Sequence, residues 1–172
     1  MSRYLLINLA VILFPLLFSF EKNLRFYKKW PALAGSLAVV STVYIIWDMF
    51  AASRGDWGFN PHYTGSIAFW GLPLEEILFF VTVPYSIIFT FETIHLYLKD
   101  RTVSVPYAVH FVIAVLLIVT AGIFHTQYYT FTVLLFSAAF LVYGAVRKLR
   151  LLRSLIFYIT LAVSYIPFLV VN

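Results

Sequence analysis

Two adjacent glutamates, Glu75 and Glu76, follow Gly71-Leu72-Pro73-Leu74 and open a long apolar run. Asp48 closes an earlier run after Ile45-Ile46-Trp47, and Asp56 lies in the loop between, so four of the chain's seven carboxylates fall in or beside one stretch. Carboxyl groups held close together can add a proton to a substrate and take another off. Part of the pattern has a plainer reading, because Pro at a first helical position followed by acidic residues is an ordinary helix start that complements the dipole. Against this, an ionisable group at the edge of the hydrocarbon is expensive and usually has a role. Desolvation and the neighbour's like charge disfavour the ionised form, which would leave one of the pair available as a neutral acid.

Aromatic residues surround these acids. Trp57, Phe59, Tyr63, Trp70, Phe79 and Phe80 flank them, and Asn60, Pro61 and Pro73 add turn formers. Such a mixture suits a structured lid better than a flexible linker. The π faces of the rings could stabilise a transient cation that water would otherwise capture. Any one of them could equally belong to an interfacial belt.

The remaining polar residues suggest less. Glu92 and His95 form one Glu-x-x-His, but a di-iron bundle needs two copies and further glutamates. Glu92 is also 16 residues beyond Glu76, ~24 Å along a helix, too far to share a small site. The four histidines lack paired metal spacing, and His110 reads as an interhelical hydrogen-bonding residue. With no cysteine, no glycine-rich phosphate loop and no dinucleotide fingerprint, the expectation is no metal and no cofactor.

Elements that can position these groups follow from hydropathy. Of 172 residues, 63% are hydrophobic and 11% charged, against roughly 25% charged in soluble chains. Apolar runs occupy residues 4–20, 32–50, 74–96, 105–124, 128–146 and 154–171, each near spanning length. Backbone groups in lipid must bond internally and no run alternates like a barrel strand, so the expected fold is all-α, a multispanning integral membrane bundle of about six transmembrane helices. Ten Lys and Arg fall in loops on one side, whereas only Arg3 and Arg54 fall on the other. The positive-inside rule then places both termini and the acidic loop on the non-cytoplasmic side. The short basic clusters between spans fit topology, and nucleic acid is not an expected partner.

A faint repeat relates residues 18–48 to residues 140–172, each reading helix, basic turn, helix. It divides the chain into a three-helix unit at 1–98, a linker helix at 99–125 and an incomplete second unit at 126–172. Asn172 stands level with Asp48, where the polar loop and acidic helix start would follow.

Trp47-Asp48, Gly55-Asp56-Trp57-Gly58-Phe59-Asn60-Pro61, Tyr63-Thr64-Gly65 and Gly71-Leu72-Pro73-Leu74-Glu75-Glu76-Ile77-Leu78-Phe79-Phe80 together resemble the membrane lycopene cyclase domain, a family with heterodimeric bacterial members and fused archaeal, bacterial and fungal ones. The resemblance covers residues 1–98 well and the remainder by hydropathy only. It implies carotenoid biosynthesis: redox-neutral cyclisation of a linear lycopene end group to a β-ionone ring, on a lipophilic polyene substrate. Glu75 or Glu76 would serve as acid, Asp48 or Asp56 as partner or base, and Trp57, Phe59 and Trp70 as walls for the cation. Fused members carry a second acidic unit, so the resemblance also implies a longer polypeptide, a second cyclase unit or a homo-oligomer. Competing expectations are a noncatalytic carotenoid-binding or assembly subunit, a cyclase of an elongated carotenoid, and a small transporter with an acidic vestibule; charges are scarce deep in the spans, which weakens the last.

Overall fold

A computed structural model describes residues 2–103 and 105–171, with Asn172 outside them. Six α-helices account for most of the chain: α1 (Arg3–Phe18), α2 (Trp30–Arg54), α3 (Leu74–Tyr97), α4 (Tyr107–Ile123), α5 (Tyr128–Val146) and α6 (Leu155–Val171). Three segments, Phe26–Arg54, Leu74–Tyr97 and Tyr128–Val146, are long and apolar enough to cross a membrane. The remaining apolar helices are shorter, α1 having 16 residues and α4 and α6 17 each, which gives ~24–26 Å of rise against ~30 Å of hydrocarbon. Only 17% of each long span's apolar window is buried. Leu, Val, Ile and Phe side chains standing outward in such numbers need lipid, not water, around them. The architecture is therefore an all-α multispanning membrane fold.

Helix ends follow local chemistry. Ser2 caps α1 by accepting from the Leu5 amide at 3.1 Å. Pro31 sits in the first turn of α2, and Gly55, at φ +79°, ends it in the left-handed conformation that glycine adopts without a Cβ penalty. α2 extends to Arg54, past the expected end at residue 50, because Ala51-Ala52-Ser53 continues helical before that glycine.

Two compact units are present, one of residues 1–99 with 160–172, the other of residues 100–159. In the first, α3 packs against α1 and α2. Polar side chains stitch α1 to α3: Asn8 Nδ2 donates to the Tyr4 and Glu75 carbonyls at 3.0 and 2.9 Å, Thr82 Oγ1 donates to Asn8 Oδ1 at 2.6 Å, and Ser86 Oγ donates to the Val11 carbonyl at 3.0 Å. In lipid no apolar driving force joins helices, so such bonds and close packing hold them. At the other end of this seam Tyr85 meets Ser19 Oγ at 2.6 Å and accepts from the Trp30 indole at 3.1 Å, beside the buried rings of Phe26 and Phe89. Replacing Thr82 by Val should cost ~1–2 kcal/mol by leaving the buried Asn8 oxygen without its donor. Unfolding in detergent micelles, combined with Asn8→Ala in a double-mutant cycle, measures the coupling; additive effects would contradict it.

In the second unit α4 and α5 meet through Ala114 and Ala121 on one side and Ala138 and Ala145 on the other, all buried. Each pair is seven residues apart, so small side chains line one seam and let the backbones approach closely. His110, buried on α4, bonds through Nε2 to the Tyr158 hydroxyl at 3.0 Å, as the interhelical reading expects.

The basic turns echo one another. Arg25 and Lys148 both adopt positive φ, 46° and 51°, and each precedes a short 3-10 segment, Phe26–Lys29 and Arg150–Arg153, that leads into the next helix.

Candidate active site

The acidic loop folds back over the first unit. Within it, β1 (Ala68–Phe69) and β2 (Leu72–Pro73) form a minimal antiparallel hairpin. Its turn residues, Trp70 and Gly71, both have positive φ, 50° and 86°, the geometry that matches strand twist in a two-residue hairpin loop. Strands of two residues are too short to leave an alternating pattern, and the sequence reading anticipated no hairpin. Trp70 occupies the tip and is 80% exposed. Pro73 leads directly into α3, where its missing N–H costs nothing.

Glu75 and Glu76 both lie in the first turn of α3. Consecutive helical residues diverge by 100°, so the pair cannot serve one neighbour. Glu75 turns toward α1 and the loop. Its Oε1 accepts from the Ser2 hydroxyl at 2.5 Å and from the Gly65 amide at 2.8 Å, and the side chain is buried. The loop is also held to α1 by the Tyr4 amide on the Tyr63 carbonyl at 3.2 Å and by Arg3, whose guanidinium lies 4.8 Å from the Tyr63 ring centroid. Glu75 thus works as a clasp.

Gly65 is required for that clasp. A Cβ built there would stand 2.7 Å from Glu75 Oε1, whereas nothing lies within 4 Å of one at Gly58. Gly65→Ala should therefore push the Glu75 carboxylate off its two donors and destabilise the fold by ~1 kcal/mol, the worth of a lost hydrogen bond, with Gly58→Ala as the near-neutral control. Equal unfolding temperatures for the two variants in micelles would show that the loop is not clamped as described.

Glu76 turns the other way, toward α2. Half-buried, it interacts electrostatically with Asp48, which is only 2% exposed and takes a side-chain hydrogen bond from Trp57. Trp57 packs on Trp47 with ring centroids 5.5 Å apart. Four residues from each carboxylate, Tyr44 and Phe80 stack at 6.2 Å, and beyond them Ser41 Oγ donates to the Phe80 carbonyl at 2.7 Å. α2 and α3 run antiparallel, so a 48–76 pair places residues 44 and 80 opposite one another one turn deeper. Asp48 Oδ2 and Glu75 Oε2 are buried with no hydrogen-bond partner among the described residues. Buried carboxylate oxygens in that condition are costly, which singles them out for explanation.

The other expected site residues lie as follows. Asp56 forms an ion pair with Arg54 at 2.6 Å. Asn60 accepts from the amides of His62 and Tyr63 within its own turn, Pro61 is exposed and Phe59 half-buried. Phe79 and Phe80 stand edge to face at 6.4 Å. Glu92, at the far end of α3, pairs with Lys29 at 2.5 Å. Among the described residues no group of three or more His, Asp or Glu could hold a metal ion.

Ser2, Asn8, Tyr44 and Thr82 were not among the expected residues. Asn8 and Thr82 were visible as polar groups inside apolar runs, a signal in itself. Tyr44 could be found only once the 48–76 pairing was known.

Fold and site together define the class: a helical membrane protein with neighbouring carboxyl groups set among aromatic rings. The family model for lycopene cyclase matches residues 2–94, and the chain belongs to that family. The match contains α1, α2, the loop and α3 as far as Ile94. No curated protein and no solved structure matches the chain.

Proposed function

We propose that this chain catalyses the cyclisation of a linear lycopene end group to a β-ionone ring, with Glu76 and Asp48 as the acid–base pair and Glu75 as the residue that positions the loop. The observation carrying this reading is the seam itself: a buried aspartate and a half-buried glutamate within electrostatic reach, roofed by Trp47 and Trp57 and floored by Tyr44 and Phe80. Like charges held close in poorly solvated surroundings cannot both ionise cheaply, so the pair holds one transferable proton. Glu76, the more accessible of the two, gives that proton to the terminal carbon–carbon double bond of the polyene. The resulting tertiary cation is attacked by the neighbouring double bond, which closes a six-membered ring and moves the charge into it. Loss of a ring proton to Asp48 restores neutrality, and the product is an isomer of the substrate. No electron is gained or lost.

The π faces of Tyr44, Trp47, Trp57 and Phe80 stabilise the intermediate charge, which the Asp48 carboxylate also opposes. Substrate enters from the bilayer between α2 and α3. This accounts for a site at the end of two spans and not in a water-filled cleft. The excess of basic residues in one set of loops supports an integral protein of a bacterial inner membrane with the acidic loop and both termini on the non-cytoplasmic face. The repeated basic turns support residues 126–172 as a partial repeat of the helices in residues 1–98.

The test is pigment chromatography of lycopene-producing cells that express the chain with a complete second unit. Cyclic carotene supports the proposal; unaltered lycopene retained with the purified protein would instead identify a binding or assembly subunit.

Trp57→Phe isolates a positioning role. It keeps a ring beside Trp47 but removes the donor to Asp48, so the cyclisation rate should fall ~5–50-fold, the loss of one charge-assisted hydrogen bond, with substrate retention unchanged. An unaltered rate would remove Trp57 from the mechanism.

A further inference from the structure

The second unit carries a groove that the acidic seam does not use. Its volume is about 540 Å³, and Ile118 of α4 faces Leu135, Ala139 and Val142 of α5 across it, with Tyr143 and Arg147 at one end. From Leu135 to Arg147 the helix rises ~18 Å, close to the ~15 Å depth of one leaflet's hydrocarbon. The groove is apolar along its length and cationic at its mouth.

That mouth is strongly one-signed. Residues 100–159 contain Arg101, Arg147, Lys148, Arg150 and Arg153 against a single acid, Asp100. The Asp100 carboxylate is already used, accepting from Ser154 Oγ at 3.0 Å and from the Ile156 amide at 3.4 Å to cap α6. Arg153 is turned toward Tyr107, 5.8 Å from its ring centroid. Lys148, in a left-handed turn, and Arg150, opening the short segment that follows, come directly after Arg147 in the chain at the end of α5. Both ion pairs among the described residues lie outside this unit. Cations at the end of a leaflet-deep apolar channel complement a negatively charged headgroup on an acyl chain.

We propose that this groove binds one anionic phospholipid, its acyl chain lying along α5 between Ile118 and Val142 and its phosphate held by Arg147 with Lys148 and Arg150. Tyr143, 58% exposed beside Arg147, lies at the headgroup level where an amphipathic ring is favoured. A zwitterionic lipid offers the same chain but carries an ammonium that the three cations repel. The site is separate from the proposed chemistry and stands whether or not the chain cyclises a polyene.

The experiment is native mass spectrometry of the full chain, extracted from vesicles of equal phosphatidylglycerol and phosphatidylcholine. The expected result is one retained phosphatidylglycerol and no retained phosphatidylcholine. Arg147→Gln should reduce retention at least tenfold, and Arg147→Lys should largely keep it. Ala139→Phe, at an exposed position, fills the groove without touching the charges and should reduce retention as much as Arg147→Gln. Equal retention of the two lipids, or variants that hold lipid as the wild type does, would overturn the proposal. So would a dimer that Ala139→Phe dissociates, since the groove would then seat a second copy.

Discussion

Cells making lycopene and expressing the Glu76→Gln variant should accumulate linear pigment, with cyclic product reduced at least ~100-fold, the scale on which a positioned general acid acts. Glutamine keeps the size and polarity of glutamate and can still bond to its surroundings, but it has no proton to give. Glu75→Gln makes the contrast. Its amide oxygen can still accept from the Ser2 hydroxyl and the Gly65 amide, the two bonds that make the clasp, so the loop stays in place and cyclisation falls by less than ~10-fold, the scale of a partly weakened hydrogen bond. Adjacent glutamates that look alike in the sequence thus separate by more than an order of magnitude in effect. If the two substitutions prove equally damaging, the division of labour between them is wrong; if Glu75→Gln alone abolishes product, the acid is Glu75.

Asp48→Asn should be nearly as severe, and the double variant with Glu76→Gln no worse than the more damaging single one. Residues that act as a unit show this non-additivity, because removing either one leaves only the catalysis that the remaining surroundings supply. Independent contributions would instead multiply, turning two ~100-fold losses into ~10,000-fold. Substrate binding provides the second readout. Neither substitution removes a ring, so pigment retained with the purified variants should match the wild type. Loss of pigment together with loss of product would move Asp48 from the chemistry to substrate binding.

Much of the fold was legible because membrane spans advertise themselves. The runs at 74–96 and 128–146 lie within a residue of α3 and α5, since apolar length and flanking turn formers mark both ends. Helix ends set by local backbone chemistry were less visible: α2 runs on to Gly55, and α1 stops at Phe18. Neighbours of each carboxylate were harder still. That Asp48 pairs with Glu76 depends on the register of α2 against α3, which a pattern of nearly all-apolar residues does not encode. The pairing of Asp56 with Arg54 was there to be read, two residues apart. Trp70 reads as one more aromatic near the acids until the turn geometry is known, and Gly71 alone hints that the chain reverses there and leaves the indole at a tip.

Charge and burial at the seam also explain why the fold tolerates it. Polar bonds between α1 and α3, with Asn8 at their centre, stabilise the first unit, and α2 contributes its acid beside them. Under the proposed function, the α1–α3 seam carries the loop while the α2–α3 seam takes the substrate end group.

The most direct measurement is isotopic: membranes containing the chain and a complete second unit are given lycopene in heavy water, and the cyclic product is weighed. Proton delivery from an exchangeable carboxyl, followed by loss of a different ring proton, predicts one deuterium for every ring formed in the wild type, and ring formation by the double variant of Asp48 and Glu76 reduced as far as in the more damaging single one. Rings formed without solvent-derived deuterium, or labelled rings made at the wild-type rate by the double variant, would contradict it.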